Sequence, residues 1–157
     1  MKNLKKPKKT YADIIVIDEY NEEMIESIFE NQKSAKMEDR KKVLLILDDL
    51  ADELNSQNQT LKKVFFKGRH FKISCWISTQ SYKAIPRGIR INAPSYILLN
   101  LNPNETKLIA EELAKEEKNI FLEKLSRCLD VKYSFMYLNM KTELSKMYCD
   151  SFKHFIN

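Results

Sequence analysis

Lys41-Lys42-Val43-Leu44-Leu45-Ile46-Leu47-Asp48-Asp49-Leu50-Ala51-Asp52-Glu53 runs five apolar residues into two adjacent aspartates. An unbroken apolar run of this length, rich in branched side chains, predicts a strand covered on both faces, as in a parallel sheet. Such sheets take ligands outside the carboxyl ends of their strands, and Asp48 and Asp49 stand at that end. Two neighbouring ionised carboxylates repel each other, so a pair in this place suits a cation or a proton transfer. The competing reading makes Asp49 the cap of the helix that follows.

Outward from this strand, helix and strand alternate. Ile14-Ile15-Val16-Ile17-Asp18 reads as a short buried strand, and from Glu22 to about Gln32 the residues Met24, Ile25, Ile28 and Phe29 fall at helical spacing. After the polar loop Asn55–Gln59 a helix is expected with Leu61, Val64, Phe65 and Gly68 on one face and Lys62, Lys63 and Lys67 turned away. Ile73–Ser78 is the next strand, ending in Thr79-Gln80-Ser81. Pro86 and Gly88 punctuate a connector, and Tyr96–Leu99 forms a fourth strand. Asn102 or Asn104 caps a helix running to about Lys115, and another spans about Asn119 to Cys128. Tyr133–Met140 and Leu144–Cys149 read as a terminal hairpin. This alternation predicts a three-layer α/β sheet.

Composition bounds the function classes. The chain has 157 residues, 43% hydrophobic and 31% charged, which suits one soluble globular domain. No apolar run approaches the ~20 residues of a membrane span, and no signal peptide opens the sequence. Cys75, Cys128 and Cys149 are few, odd in number and widely spaced, which points to reduced thiols and no zinc motif. The net charge of +5 is a mild excess, compatible with a polyanionic partner. Much of it sits in residues 1–12, where Lys5, Lys6, Lys8 and Lys9 make either a solvated tail or weak contacts to a phosphate backbone.

Three segments in order, LLILDDLADE, LKKVFFKGRHFKISCWISTQ and IPRGIRINAPSYILL, resemble the FtsK–HerA superfamily of DNA-translocating P-loop ATPases. Within it they look like the genome-packaging ATPase of poxviruses and other large DNA viruses, over roughly Ile14 to Ile109. The resemblance implies a RecA-like core and equates LLILDD with the Walker B strand. Asp48 would then hold Mg2+, usually through water, because a hard cation prefers oxygen ligands. Asp49 would orient the attacking water, a role that needs a carboxylate within hydrogen-bond reach. Gln80 matches the position that senses the γ-phosphate. Arg90 and Asn92 match an R-x-N pattern, which makes Arg90 the first choice and Arg87 the second for an arginine finger acting across a subunit interface. Arg69, in the turn Lys67-Gly68-Arg69-His70, would reach a neighbouring subunit or DNA, or else be a solvated helix-end cation. Gly68 would let the helix pack closely on the sheet or end.

One motif is missing. A P-loop needs G-x-x-x-x-G-K-[ST], since backbone N–H groups wrap the phosphates with no Cβ in the way. The sequence has two glycines, Gly68 and Gly88, and neither stands in that pattern. In the family the strand leading into the P-loop lies between the sensor strand and the last core strand. Without it, an opening roughly 9–10 Å wide is expected, flanked by unpaired strand edges. The organisation expected is therefore a basic tail at 1–12, an incomplete RecA-like core at 13–128 lacking its first strand, and a hairpin and tail at 129–157. The implied function is the Walker B and sensor portion of an ATPase that drives double-stranded DNA into capsids with ATP and Mg2+. It would work as a homo-oligomeric ring in the host cytoplasm or virion, with the P-loop supplied by a missing segment or a partner chain, and be inactive alone. The alternative is a non-catalytic basic DNA-binding or scaffold protein derived from that fold.

Overall fold

The computed structural model describes residues 14–49 and 58–156. Helix α1 (Glu22–Ser34) starts where the Asn21 side chain accepts a hydrogen bond from Met24 N at 2.8 Å, with Glu22 and Glu23 in its first turn. Strand β1 (Val43–Asp48) follows, then α2 (Gln59–Lys67), a 3-10 turn at Gly68–Phe71 and β2 (Ile73–Ser78). β1 and β2 are parallel, in register from Val43↔Ile73 to Asp48↔Ser78. One face of this pair is closed by Ile25 and Phe29 of α1 and Leu61 and Val64 of α2, packed on Leu47 and Ile73. Burying each such side chain contributes roughly 1.5–3 kcal/mol. Gln32 ties the helix layer to the strands, its Nε2 donating to Lys41 O at 2.5 Å and Phe71 O at 2.8 Å. Gly68 allows the close approach of α2: a Cβ there would lie 3.1 Å from the Ile73 carbonyl oxygen.

The second half begins with the one-turn α3 (Arg87–Arg90) and β3 (Ser95–Leu98). α4 (Pro103–Leu113) starts at Asn102, which caps both Asn104 N and Glu105 N, with Pro103 in the first helical position. α5 (Lys118–Leu129), β4 (Met136–Asn139), β5 (Tyr148–Asp150) and β6 (His154–Phe155) complete the order. The terminal hairpin is present as β4–β5 with shorter strands than expected, Leu144–Lys146 forming a 3-10 turn instead of strand, and β4 also pairs with β3. The result is a four-stranded antiparallel sheet, β3-β4-β5-β6. Its core joins Leu98, Ile109, Leu113, Phe121, Met136 and Tyr148.

Two expectations are corrected. Ile14–Ile17 form no strand; the four side chains are 45–73% exposed. Their apolar pattern requires a neighbour to become a strand, and none of the described residues pairs with them. The run Val43–Leu47 is not covered on both faces either. Its burial alternates, so that Leu44 and Ile46 are exposed together with Trp76 of β2. The helices close one face and leave the other without a layer among the described residues. The architecture is mixed α/β, with one parallel and one antiparallel sheet and no hydrogen bonding between β2 and β3. No described helix is long and apolar enough to cross a membrane.

Candidate functional site

Because β1 and β2 run parallel and in register, their carboxyl ends lie side by side. The ladder continues one step beyond the strands, where Asp49 N donates to Ser78 O at 3.0 Å. Asp49 then turns into the left-handed region, φ 50°, which aspartate tolerates better than most residues. Its Oδ2 accepts a hydrogen bond from Gln80 Nε2 at 3.2 Å. On the other side of the site, Thr79 Oγ1 donates to Ser81 O at 3.1 Å and accepts from Ser81 N at 3.2 Å, fixing the turn that carries Gln80. Asp48, Asp49 and Gln80 are all exposed.

The cap reading for Asp49 does not describe α2. That helix is capped by Asn58, whose Oδ1 accepts from Leu61 N at 2.9 Å. Asp48 and Asp49 are two exposed carboxylates at the carboxyl end of β1, a donor set suited to a hard divalent cation. Among the described residues no cluster of three or more potential ligands occurs. A magnesium ion held by one or two carboxylates, water and substrate phosphates needs no such cluster.

Beyond Gln80 the chain is held by two glutamates of α4. Ser81 Oγ donates to Glu105 Oε1 at 3.4 Å and Tyr82 N to Glu105 Oε2 at 3.0 Å. Arg90 is buried, and its guanidinium is bidentate on Glu112, 3.1 Å from Nε to Oε2 and 2.7 Å from Nη2 to Oε1. Nη1 of the same group donates to the carbonyls of Ile85 at 3.0 Å, Tyr82 at 3.3 Å and Lys83 at 3.5 Å. The guanidinium also stacks over the Tyr82 ring, 4.7 Å from its centre, while the Arg90 carbonyl accepts from the Tyr96 hydroxyl. Burial beside this network pushes the Tyr82 phenol well above its ordinary range.

The sequence-selected residues therefore divide. Asp48, Asp49 and Gln80 come together. Arg90 is committed inside the chain, whereas Arg87, at the start of the same helical turn, is exposed, as is Arg69. Neither exposed arginine forms an ion pair among the described residues. Asn92 Nδ2 donates to Gly88 O at 2.8 Å, closing the α3 turn. Lys5, Lys6, Lys8 and Lys9 lie outside the described residues. Glu105 and Glu112 were not singled out from sequence, although a signal existed. They are seven apart, hence on one face of α4, and Glu105 sits in its first turn.

Three comparisons bear on this geometry. A family model described as "Poxvirus A32 protein" matches residues 16–127. "Uncharacterized protein 075L" of Invertebrate iridescent virus 6 is 32% identical over 107 residues, covering 63% of this chain and 42% of that protein. Among solved structures, the genome packaging NTPase B204 from Sulfolobus turreted icosahedral virus 2 in complex with AMP superposes with a TM-score of 0.62 at 18% identity, covering 85% of this chain and 63% of that one. The same protein in complex with ATP-gammaS gives 0.60 at 17% identity, covering 82% and 58%. At such identity the likeness speaks to the fold alone. The chain spans less than two thirds of the length of each of these relatives.

Proposed function

The chain belongs to the poxvirus A32 protein family, and from that premise we propose that it is the metal-binding and nucleotide-sensing portion of an ATPase that moves double-stranded DNA into viral capsids. The observation that carries this reading is the contact of Gln80 with Asp49 at the carboxyl ends of β2 and β1. An acidic pair serving only as a strand end has no need of a glutamine brought to it from the neighbouring strand.

In this proposal Asp48 holds Mg2+, Asp49 orients the attacking water, and Gln80 reads the γ-phosphate. When bound, the metal offsets negative charge on the phosphates. Arg87 replaces Arg90 as the first choice for a finger reaching the next subunit, because the Arg90 guanidinium has no free donor face toward solvent. Arg69 stays the second candidate, and Lys5, Lys6, Lys8 and Lys9 would add weak phosphate contacts. No G-x-x-x-x-G-K-[ST] cradle occurs in these 157 residues, and in this reading it is supplied from elsewhere. Among the described residues β2 pairs only with β1 and β3 only with β4, so each has an edge that would accept an added strand leading into a P-loop, on this polypeptide or a partner chain, completing a three-layer RecA-like core that begins at 13. The assembled enzyme would be a homo-oligomeric ring in the host cytoplasm or virion.

The test is reconstitution. A segment carrying the P-loop strand is combined with this chain, and ATP hydrolysis is followed with and without Asp49→Asn. Hydrolysis that appears on mixing and falls at least 10²-fold with Asp49→Asn supports the enzyme. Salt-sensitive DNA binding with no hydrolysis on mixing would favour the non-catalytic DNA-binding alternative.

A further inference from the structure

We propose that Glu105 and the Arg90–Glu112 pair are positioning residues, which hold Gln80 against Asp49 and set Arg87 outward as parts of one rigid unit. This rests on the ATPase reading above.

The geometry is continuous from the site to the surface. Gln80 touches Asp49, and the next two residues, Ser81 and Tyr82, are both held by the Glu105 carboxylate. The three carbonyls that follow, of Tyr82, Lys83 and Ile85, converge on Arg90 Nη1. The Pro86 carbonyl then accepts from Ile89 N at 2.8 Å and Arg90 N at 3.1 Å, forming the turn that starts with Arg87. Residues 81–90 therefore have little freedom to move apart: both ends are anchored to one face of α4.

Net stability alone does not account for this layout. A buried arginine–carboxylate pair is often matched or exceeded in stability by apolar residues of similar size. What the bidentate fork does supply is orientation, because its planar donors fix direction as well as distance. Here that direction is spent on the backbone leading away from the glutamine. A nucleotide-dependent displacement of Gln80 would be carried to Arg87 as a shift of the whole unit, so hydrolysis in one subunit would be read at the next.

The experiment uses Glu105→Gln, because replacing the buried Arg90 risks the fold. The amide retains only one acceptor oxygen for two donors. In the 157-residue chain, the side-chain amide signals of Gln80 are expected to lose their hydrogen-bonded shift. The methyl signals of Ile109 and Leu113 stay unchanged. In the reconstituted enzyme kcat falls about 10- to 100-fold with KM for ATP held within twofold, as for a mis-set catalytic group. Glu105→Asp, which keeps both oxygens, recovers part of kcat. Unchanged Gln80 signals, or a kcat equal to wild type while Asp49→Asn is inactive, would overturn the positioning role and leave the ATPase reading standing. Absence of hydrolysis in the wild-type mixture sinks the ATPase reading instead, and the Gln80 signals then decide the positioning claim on their own.

Discussion

Ile46 and Trp76 stand in register across the parallel pair and are 63% and 61% exposed. They share the open face with Leu44, while Leu47, one residue along, is buried under the helices. Among the described residues nothing covers this face, and large apolar side chains gathered on one sheet face are a surface suited to contact.

Trp76 is the only tryptophan, so it reports on that face directly. In the free chain its emission should be that of a water-exposed indole and be quenched readily by acrylamide. On adding a segment that supplies the P-loop strand and its following helix, emission should shift to the blue and quenching should fall. Trp76→Gln should change stability by no more than about 0.5 kcal/mol, whereas Leu47→Ala should cost about 2–5 kcal/mol. Equal losses in urea titrations of the two variants would mean that the face is already covered.

Arg90 and Arg87, three residues apart, should behave as opposites. Arg90→Ala removes a buried side chain and leaves the half-buried Glu112 without its partner, and should cost about 2–4 kcal/mol of stability. Arg87→Ala should leave urea unfolding within about 0.5 kcal/mol of wild type. In the reconstituted enzyme, Arg87→Ala should lower hydrolysis by about 10³-fold or more if it acts as the finger. Full activity of that variant would return the role to Arg69.

Sequence reading succeeded where the backbone follows from a segment's own pattern. The apolar runs Val43–Leu47 and Ile73–Ile77 read as strands and form β1 and β2, although Leu44 and Ile46 are exposed rather than covered. It failed where the outcome depends on a neighbour. Ile14–Ile17 has the pattern of a strand but pairs with none of the described residues. The hairpin was visible, yet nothing local shows that Leu98 would face Met136 and turn that region into an antiparallel sheet. The R-x-N pattern sets Arg90 ahead of Arg87, and nothing local to it shows that Glu112, twenty-two residues away, pairs with Arg90.

The two glycines should also differ. At Gly68 a methyl group would lie 3.1 Å from the Ile73 backbone oxygen, so that strand backbone must give by a few tenths of an ångström. The backbone there is ordinary right-handed helix, so no conformational penalty adds to it. Gly68→Ala should cost about 1–3 kcal/mol by overpacking, partly offset by the smaller entropy of the unfolded chain. At Gly88 the nearest atom is Phe66 Cζ at 3.7 Å, an ordinary contact. Gly88→Ala should be neutral or slightly stabilising, and thermal melts of the pair test both.

The thiols give a pH signature. Burial pushes Cys75 up to about 12 and Cys128 up to about 11, from an ordinary value of 9.0. Only the thiolate reacts quickly with iodoacetamide. At pH 8.5 the folded chain should therefore label both cysteines roughly two to three orders of magnitude more slowly than the urea-unfolded chain. The sign for stability follows from the same shift. The folded state holds these protons more tightly than the unfolded state, so the contribution is complete below pH 9. It is lost as pH rises from 9 toward 12, because there the unfolded chain ionises first and gains free energy the folded chain does not. Cys75→Ala should flatten that alkaline decline, even if it lowers stability at neutral pH by removing a packed side chain. Fast labelling of Cys75 in the folded chain at pH 8.5, or an alkaline decline unaltered by Cys75→Ala, would show that α2 does not shield β2 as tightly as the packing of Leu61 and Val64 implies.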